Sequence, residues 1–190
     1  MMNSLHTKNM KKLSDNFNLD KYGLHVRMVR LVDAEFIVKL RTDAKLGRYI
    51  HATSNDVSQQ IEWLYAYKER EVRGEDYYFV FESPTGIPVG VERIYDIKDE
   101  SFTVGSWVFD KESPKGAAIL SDIILKEIAW ELFPEKDCLW DNMKGNVNVV
   151  HYALSYHPTL LRETETQLFF LCTKENFERY KKLYLRMLTK

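Results

Sequence analysis

Cysteine is scarce: Cys138 and Cys172 are the only two in 190 residues, and each stands alone in an apolar stretch. Neither falls in a metal-ligand spacing and no histidine pair accompanies them, which speaks against a disulfide framework and against a structural metal. Two buried, reduced thiols and no bound metal are the expectation. Long apolar runs are missing as well. No segment approaches the roughly 20 apolar residues that a membrane span requires, and the stretch from Met1 to Lys12 scatters charge without an apolar core. A cytoplasmic chain with no membrane partner is expected. Nor is there an excess of either charge, since 27 Lys and Arg stand against 28 Asp and Glu. No global field gathers nucleic acid, and any anionic ligand must be held by a local site. Repeats and low-complexity tracts are absent too.

What is present is the composition of a soluble globular protein, 45% hydrophobic and 29% charged, in a length that suits one domain. Residues 1–20 are polar and read as a flexible arm, which leaves 21–190 as the domain. Leu24 to Leu31 alternates apolar and polar residues as a half-buried strand does. Asp33 is placed to cap a helix running to Arg41. Residues 43–55 show no periodicity and read as loop. From Asn55 an amphipathic helix carries Val57, Ile61, Leu64 and Tyr65 on one stripe and stops near Gly74.

Three short β-rich segments follow, Tyr77–Glu82, Pro88–Ile94 and Phe102–Phe109, joined by turns short enough for an antiparallel meander. Pro114 then opens a helix to about Phe133 that is apolar over most of its circumference, with a narrow polar stripe through Asp122 and Lys126. A strand at Cys138–Asp141, a helix at Val147–Tyr156, a hairpin (Leu160–Arg162 with Leu168–Cys172) and a helix from Asn176 to Leu188 complete the chain. This order predicts an α/β (α+β) fold, a mixed and mostly antiparallel sheet flanked by helices on both faces.

The junction Trp107-Val108-Phe109-Asp110-Lys111-Glu112-Ser113-Pro114-Lys115-Gly116-Ala117-Ala118 is the segment richest in chemical information. A strand ends, a loop turns, and a buried helix begins on small residues. Unpaired N–H groups and the helix dipole make such a start an anion site. Gly116, Ala117 and Ala118 place little bulk before that backbone, and Lys111 and Lys115 add charge at the rim. An ordinary helix start packed against a strand explains the same residues equally well.

Together these features resemble the GCN5-related N-acetyltransferases. That family's pyrophosphate loop, Gln/Arg-x-x-Gly-x-Gly/Ala, is matched by Ser113 to Ala118: Gly116 and Ala118 conform, and Ser113 departs. Asn146 opens the next landmark helix, where the family often bonds the pantetheine arm; a helix N-cap is its other reading. His157 stands where the family usually has glycine. Phe102-Thr103-Val104-Gly105-Ser106-Trp107 and Asp56 to Tyr67 look like the members that acylate an amino group of a nucleotide-linked deoxyamino sugar in surface-polysaccharide and flagellar-sugar pathways.

The resemblance implies acetyl-coenzyme A as cosubstrate, with no metal. It implies pantetheine pairing with the backbone at Trp107, Val108 and Phe109, where strand and next strand splay, and diphosphate bound by Ser113, Lys115, Gly116, Ala117 and Ala118. The strand position that carries glutamate in ribosomal-protein-modifying relatives holds Thr103 here, which is no base at neutral pH. Glu92 on the neighbouring strand is the substitute candidate, acting through a water. Its bland alternative is an arginine-paired carboxylate, with Arg93 or Arg162 as partner. His51, in the irregular loop, is a second candidate base.

The family's general-acid position is occupied by Ala153. Tyr152 lies one residue earlier and Tyr156 three later, and one residue along a helix turns a side chain well away. Tyr152 therefore does not simply inherit the role; it is the candidate acid, and the alternatives are that another group protonates the thiolate or that it leaves unassisted. The acceptor pocket is expected from Arg48, Tyr49 and Trp63, as aromatic platforms and a phosphate partner. Other acceptors (a protein N-terminus, an amino acid, an antibiotic) and a non-catalytic coenzyme-binding module are the alternatives. The missing strand glutamate and helix tyrosine favour the module, while Gly116, Ala118 and Asn146 oppose it. A monomer or homodimer is expected.

Overall fold

A computed structural model describes residues 12–189 of the chain. Its sheet begins with β1 (Asn18–Lys21) and β2 (Leu24–Met28), followed by α1 (Ala34–Thr42) and α2 (Val57–Arg73). The meander is β3 (Tyr77–Glu82), β4 (Pro88–Tyr95) and β5 (Ser101–Phe109), and α3 (Ala117–Leu132) crosses over to β6 (Asp137–Met143). Then come α4 (Val147–Leu154), the hairpin β7 (Thr159–Glu163) and β8 (Gln167–Cys172), and α5 (Lys174–Leu188). The eight strands form one sheet in the order β1-β2-β3-β4-β5-β6-β8-β7. Every pair is antiparallel except β5 with β6, which the α3 crossover makes parallel.

The sheet is covered on both faces. Phe79, Phe81, Phe102 and Val104 pack with α3 and Phe177 of α5, while Tyr78, Val80, Val91 and Val108 pack with α1 and α2. The α3 side chains Ile123, Ile124 and Leu125 are fully buried, each contributing roughly 1.5–3 kcal/mol over exposure. Local chemistry agrees with the boundaries. Asp56 caps α2 by accepting the Ser58 N–H at 2.8 Å, and Gly74 ends it at φ 75°, a left-handed turn that glycine takes without strain.

Two expectations change. The arm assigned to residues 1–20 overlaps the sheet: β1 pairs with β2, and Phe17 packs edge-on against Phe79 at 5.8 Å, since a short polar hairpin strand carries little periodicity. Residues 1–11 of that arm lie outside the described residues. Asp33 precedes α1 but forms no side-chain cap. Instead its two oxygens accept both Arg27 guanidinium nitrogens at 2.8 Å, a bidentate pairing that outcompetes a cap. Cys138 and Cys172 are free and buried, as expected.

Candidate active site

The parallel ladder between β5 and β6 pairs Ser101 with Asp137 and ends at Thr103 opposite Leu139. Beyond that point β4 holds β5 as far as Phe109, and β8 holds β6 as far as Met143. The two strands are drawn apart, and the facing backbone between them is left without a strand partner. A cleft of about 530 Å³ fills this wedge, walled by β5, β6 and α4 and overhung by the loop from Arg48 to Ala52.

A β-bulge marks the point of divergence. Val91 pairs with Val108 and Arg93 with Gly105, so Glu92 alone faces both Ser106 and Trp107. Ser106 takes φ 55° to make the bend. Bulges re-aim side chains, and here Trp107 turns onto α3, its Nε1 donating to the Ala118 carbonyl at 3.0 Å and to Ser121 Oγ at 3.2 Å.

Glu92 lies at the foot of the cleft, 1% exposed. Neither expected arginine pairs with it: Arg93 binds Asp76, and Arg162 lies over the Phe169 ring. Its neighbours come from the polar stripe of α3, where Ser121 Oγ donates to Glu92 Oε2 at 3.3 Å. Asp122 and Lys126, 4% exposed each, also line the cleft. Lys126 Nζ donates to both Asp122 oxygens at 2.7 Å. Tyr152 Oη donates to Asp122 Oδ2 at 2.6 Å and stands 3.1 Å from Tyr156 Oη.

Charge in this cluster is closely balanced. Burial and then the adjacent Asp122 push the Glu92 carboxyl well above the ordinary range. Burial opposes the Lys126 ammonium, but Asp122 outweighs it and holds the group cationic. Burial, with Asp122 beside it, raises the Tyr152 phenol. A neutral Glu92 carboxyl near a Lys126 ammonium is the arrangement these shifts describe.

The helix start behaves differently from its sequence reading. Gly116 has φ 84°, and a Cβ there would come within 2.8 Å of Leu188. The glycine is thus explained by its backbone and by α5. Ala117 is in the core, and its N–H donates to the Pro114 carbonyl at 2.9 Å. Ala118 and Ile119 keep the first-turn amides that have no intrahelical acceptor, and exposed Lys115 and half-buried Ser113 sit beside them. Asn146 stands at the α4 N-cap without making a side-chain cap bond, and it lines the cleft instead.

Val108 and Phe109 point into the two cores, so only their main chain can meet a ligand. Two further polar atoms are buried without partners among the described residues, Trp140 Nε1 and Asn142 Oδ1, and both residues line the same cleft. Buried groups of that kind ask for a ligand or water. A stretch of unpaired strand, an uncommitted Asn146 and an orphaned indole N–H share one cleft and fit an extended, amide-bearing ligand; the α3 start does not line that cleft, and its free amides suit a diphosphate.

On the loop side, Arg48, Tyr49 and His51 all reach the cleft, with Arg48 over the Tyr49 ring at 5.1 Å. Arg41 ties the loop down, bonding Thr53 Oγ1 at 2.6 Å and the His51 carbonyl at 3.2 Å. Trp63 is not there. It stacks on Tyr67 at 5.7 Å with Arg70 and Arg93 over its ring, outside the cleft, because its position on α2 faces β3 and β4. Asp122, Lys126, Tyr95, Trp140 and Asn142 were not singled out as site residues from sequence. The signal for the first two was a charged pair at i,i+4 inside an otherwise apolar helix.

No protein-family profile and no curated protein sequence matches the chain. Among solved structures it is 32% identical to apo FdhC, a nucleotide-linked sugar GCN5-related N-acetyltransferase, over 91% of this chain and 99% of that one, with a TM-score of 0.80. The ribosomal-protein-S5-alanine acetyltransferase from Vibrio fischeri shares the fold at 12% identity, covering 85% of this chain and 99% of that one, TM-score 0.71. So does the spermidine N-acetyltransferase from Vibrio cholerae, solved with CoA and spermine, at 14% identity, 83% and 99% coverage and TM-score 0.70.

Proposed function

This chain belongs to the GCN5-related N-acetyltransferases, and on that premise we propose that it transfers the acetyl group of acetyl-coenzyme A to an amine of a small molecule, a nucleotide-linked amino sugar. The observation that carries this reading is the wedge between β5 and β6 with buried Glu92 at its foot. Unpaired β5 backbone takes the amide-bearing arm, Asn146 and Trp140 Nε1 add donors, and the amides of Ala118 and Ile119 receive the diphosphate.

In this reading the amine enters from the loop side. Arg48 meets the nucleotide phosphates and Tyr49 offers a face to sugar or base. Among the described residues Asp141 is the only carboxylate on the cleft wall besides Glu92 and Asp122, and it is engaged by Gln167 Nε2 at 3.1 Å. A cleft of arginine and aromatics suits a sugar nucleotide better than a cationic peptide end or polyamine. Glu92 takes the amine proton, directly or through a water, and Tyr152 protonates the leaving thiolate. A main-chain amide of β5 beside the bulge polarises the thioester carbonyl. Holding both reactants in one cleft supplies several kcal/mol of the barrier.

The test is thiol release from acetyl-coenzyme A with a panel of amines. Turnover is expected on a thymidine- or uridine-linked amino sugar and not on spermidine, free amino acids or an alanyl peptide. Preference for peptide or polyamine would overturn the acceptor assignment. Stabilisation by the coenzyme with no turnover on any amine would identify a binding module.

A further inference from the structure

The α3 cluster does more than fill space. Three ionisable side chains buried beside a cleft (Glu92, Asp122, Lys126) are expensive unless paired, and apolar residues would serve packing at that depth. Asp122 is the hub. It accepts Lys126 through both oxygens, accepts the Tyr152 hydroxyl at 2.6 Å, and adjoins the Glu92 carboxyl, whose ionisation it opposes and to which its chain neighbour Ser121 donates at 3.3 Å. Both ends of this chain, Glu92 and Tyr152, open on the same cleft.

We propose that Asp122 is a positioning residue that joins Glu92 to Tyr152 in one hydrogen-bonded relay, returning the proton taken from the acceptor amine to the departing thiolate without passage through solvent. At rest Glu92 carries a proton and Tyr152 keeps its own, while Asp122 accepts from both Lys126 and Tyr152. As the C–N bond forms and the C–S bond breaks, its electron pair stays on sulfur. The amine proton goes to the free oxygen of Glu92 while the proton already there passes to Asp122. Tyr152 gives its proton to sulfur and recovers one from Asp122. Every group ends as it began, with one proton moved from nitrogen to sulfur.

The groups near Glu92 are Ser121, Asp122 and Lys126 from α3 and Cys138 from β6, with Tyr152 of α4 and Tyr156, two residues past its end, beside Asp122. None supplies a second anion. Tyr152 also explains how a tyrosine one residue off the family's acid position can serve: its hydroxyl reaches inward to α3, and the relay meets it there.

The proposal rests on the acetyltransferase reading, so a wild-type chain inactive on every amine ends both, whereas an active wild type with an indifferent Asp122→Asn variant ends this one alone. Asp122→Asn is expected to lower kcat about a hundredfold, the low end for general acid–base catalysis, with KM for acetyl-coenzyme A within about twofold. In ligand-free protein, the infrared carbonyl stretch of a protonated acid, assigned by its loss in Glu92→Gln, should vanish in Asp122→Asn and persist in Tyr152→Phe. Asp122→Asn and Tyr152→Phe combined should be no slower than the worse single variant, since members of one relay act as a unit. Should Asp122→Asn fail to fold with Lys126 left unpaired, Asp122→Asn/Lys126→Met removes both charges together and is held to the same kinetic outcome, while its infrared band should persist because burial alone keeps Glu92 protonated. A kcat within about threefold of wild type, an infrared band unchanged in Asp122→Asn (or, where that variant does not fold, lost in Asp122→Asn/Lys126→Met), or multiplicative losses on combining Asp122→Asn with Tyr152→Phe overturns the relay.

Discussion

Burial and Asp122 both favour the protonated acid at Glu92, which makes this residue a stability variable as well as a catalytic one. The unfolded chain gives up the Glu92 proton near the ordinary carboxylate value, and the folded chain only well above it. Between those values the folded state holds more protons, so stability is full at low pH and is lost as pH rises through the folded pKa. Glu92→Gln removes that loss. The melting temperature of the variant should gain on wild type steadily as pH rises above about 5, and a constant difference would contradict the assignment. The same variant should lower kcat by about a hundredfold or more.

Backbone strain is also a residue-scale matter. Ser106 holds φ 55° at the bulge, a conformation costing about 1 kcal/mol for a residue with a Cβ. Ser106→Gly should therefore raise the urea midpoint slightly or leave it unchanged, while Ser106→Val should lower it. His157 stands at φ 49° where the resembling family has glycine. Its ring stacks on Tyr180 at 4.4 Å, which offsets the strain and shows how the departure is accommodated.

At the scale of elements, the start of α3 is held by α5. Gly116→Ala should cost about 1–2 kcal/mol for its left-handed backbone, plus a further loss from crowding Leu188, read as a drop in the denaturation midpoint. Leu188→Ala should restore the crowding part and leave the backbone part, so the pair should be non-additive. Strict additivity would mean that the two do not touch.

The elements themselves were legible because periodicity is a property of each segment alone. Helix α2 announced its apolar stripe and its stop at Gly74, and α3 its burial by apolar residues around the axis. Asp33 was misread because a cap is a local inference, and the competing partner, Arg27, lies on another strand. Trp63 was misread for the same reason: whether α2 turns an aromatic toward the cleft or toward β3 depends on packing that no spacing records. Asp122 and Lys126 were visible as a polar stripe, but only the fold reveals that the stripe faces Glu92 and Tyr152.

For the whole molecule, the order of elements was enough to predict a mixed, mostly antiparallel sheet between helices, and the eight-stranded sheet has that form. The divergence of β5 from β6 was expected only through resemblance, since it depends on where the ladder stops. The chain's near-neutral net charge means that binding of a polyanion falls to the cleft and the start of α3 rather than to a basic surface, so a single saturable site is expected. Among the described residues no helix is long and apolar enough to cross a membrane, and no cluster of three or more His, Cys, Asp or Glu is placed to hold a metal.

Calorimetric titration of the chain with coenzyme A, followed by a melting curve of the titrated sample, addresses the wedge directly. One site per chain is predicted, and at about a hundredfold excess over Kd the complex should gain about 2.7 kcal/mol, which is a rise of roughly 5–10 °C in Tm for a chain of this size. No heat at millimolar coenzyme and an unmoved Tm would contradict the account.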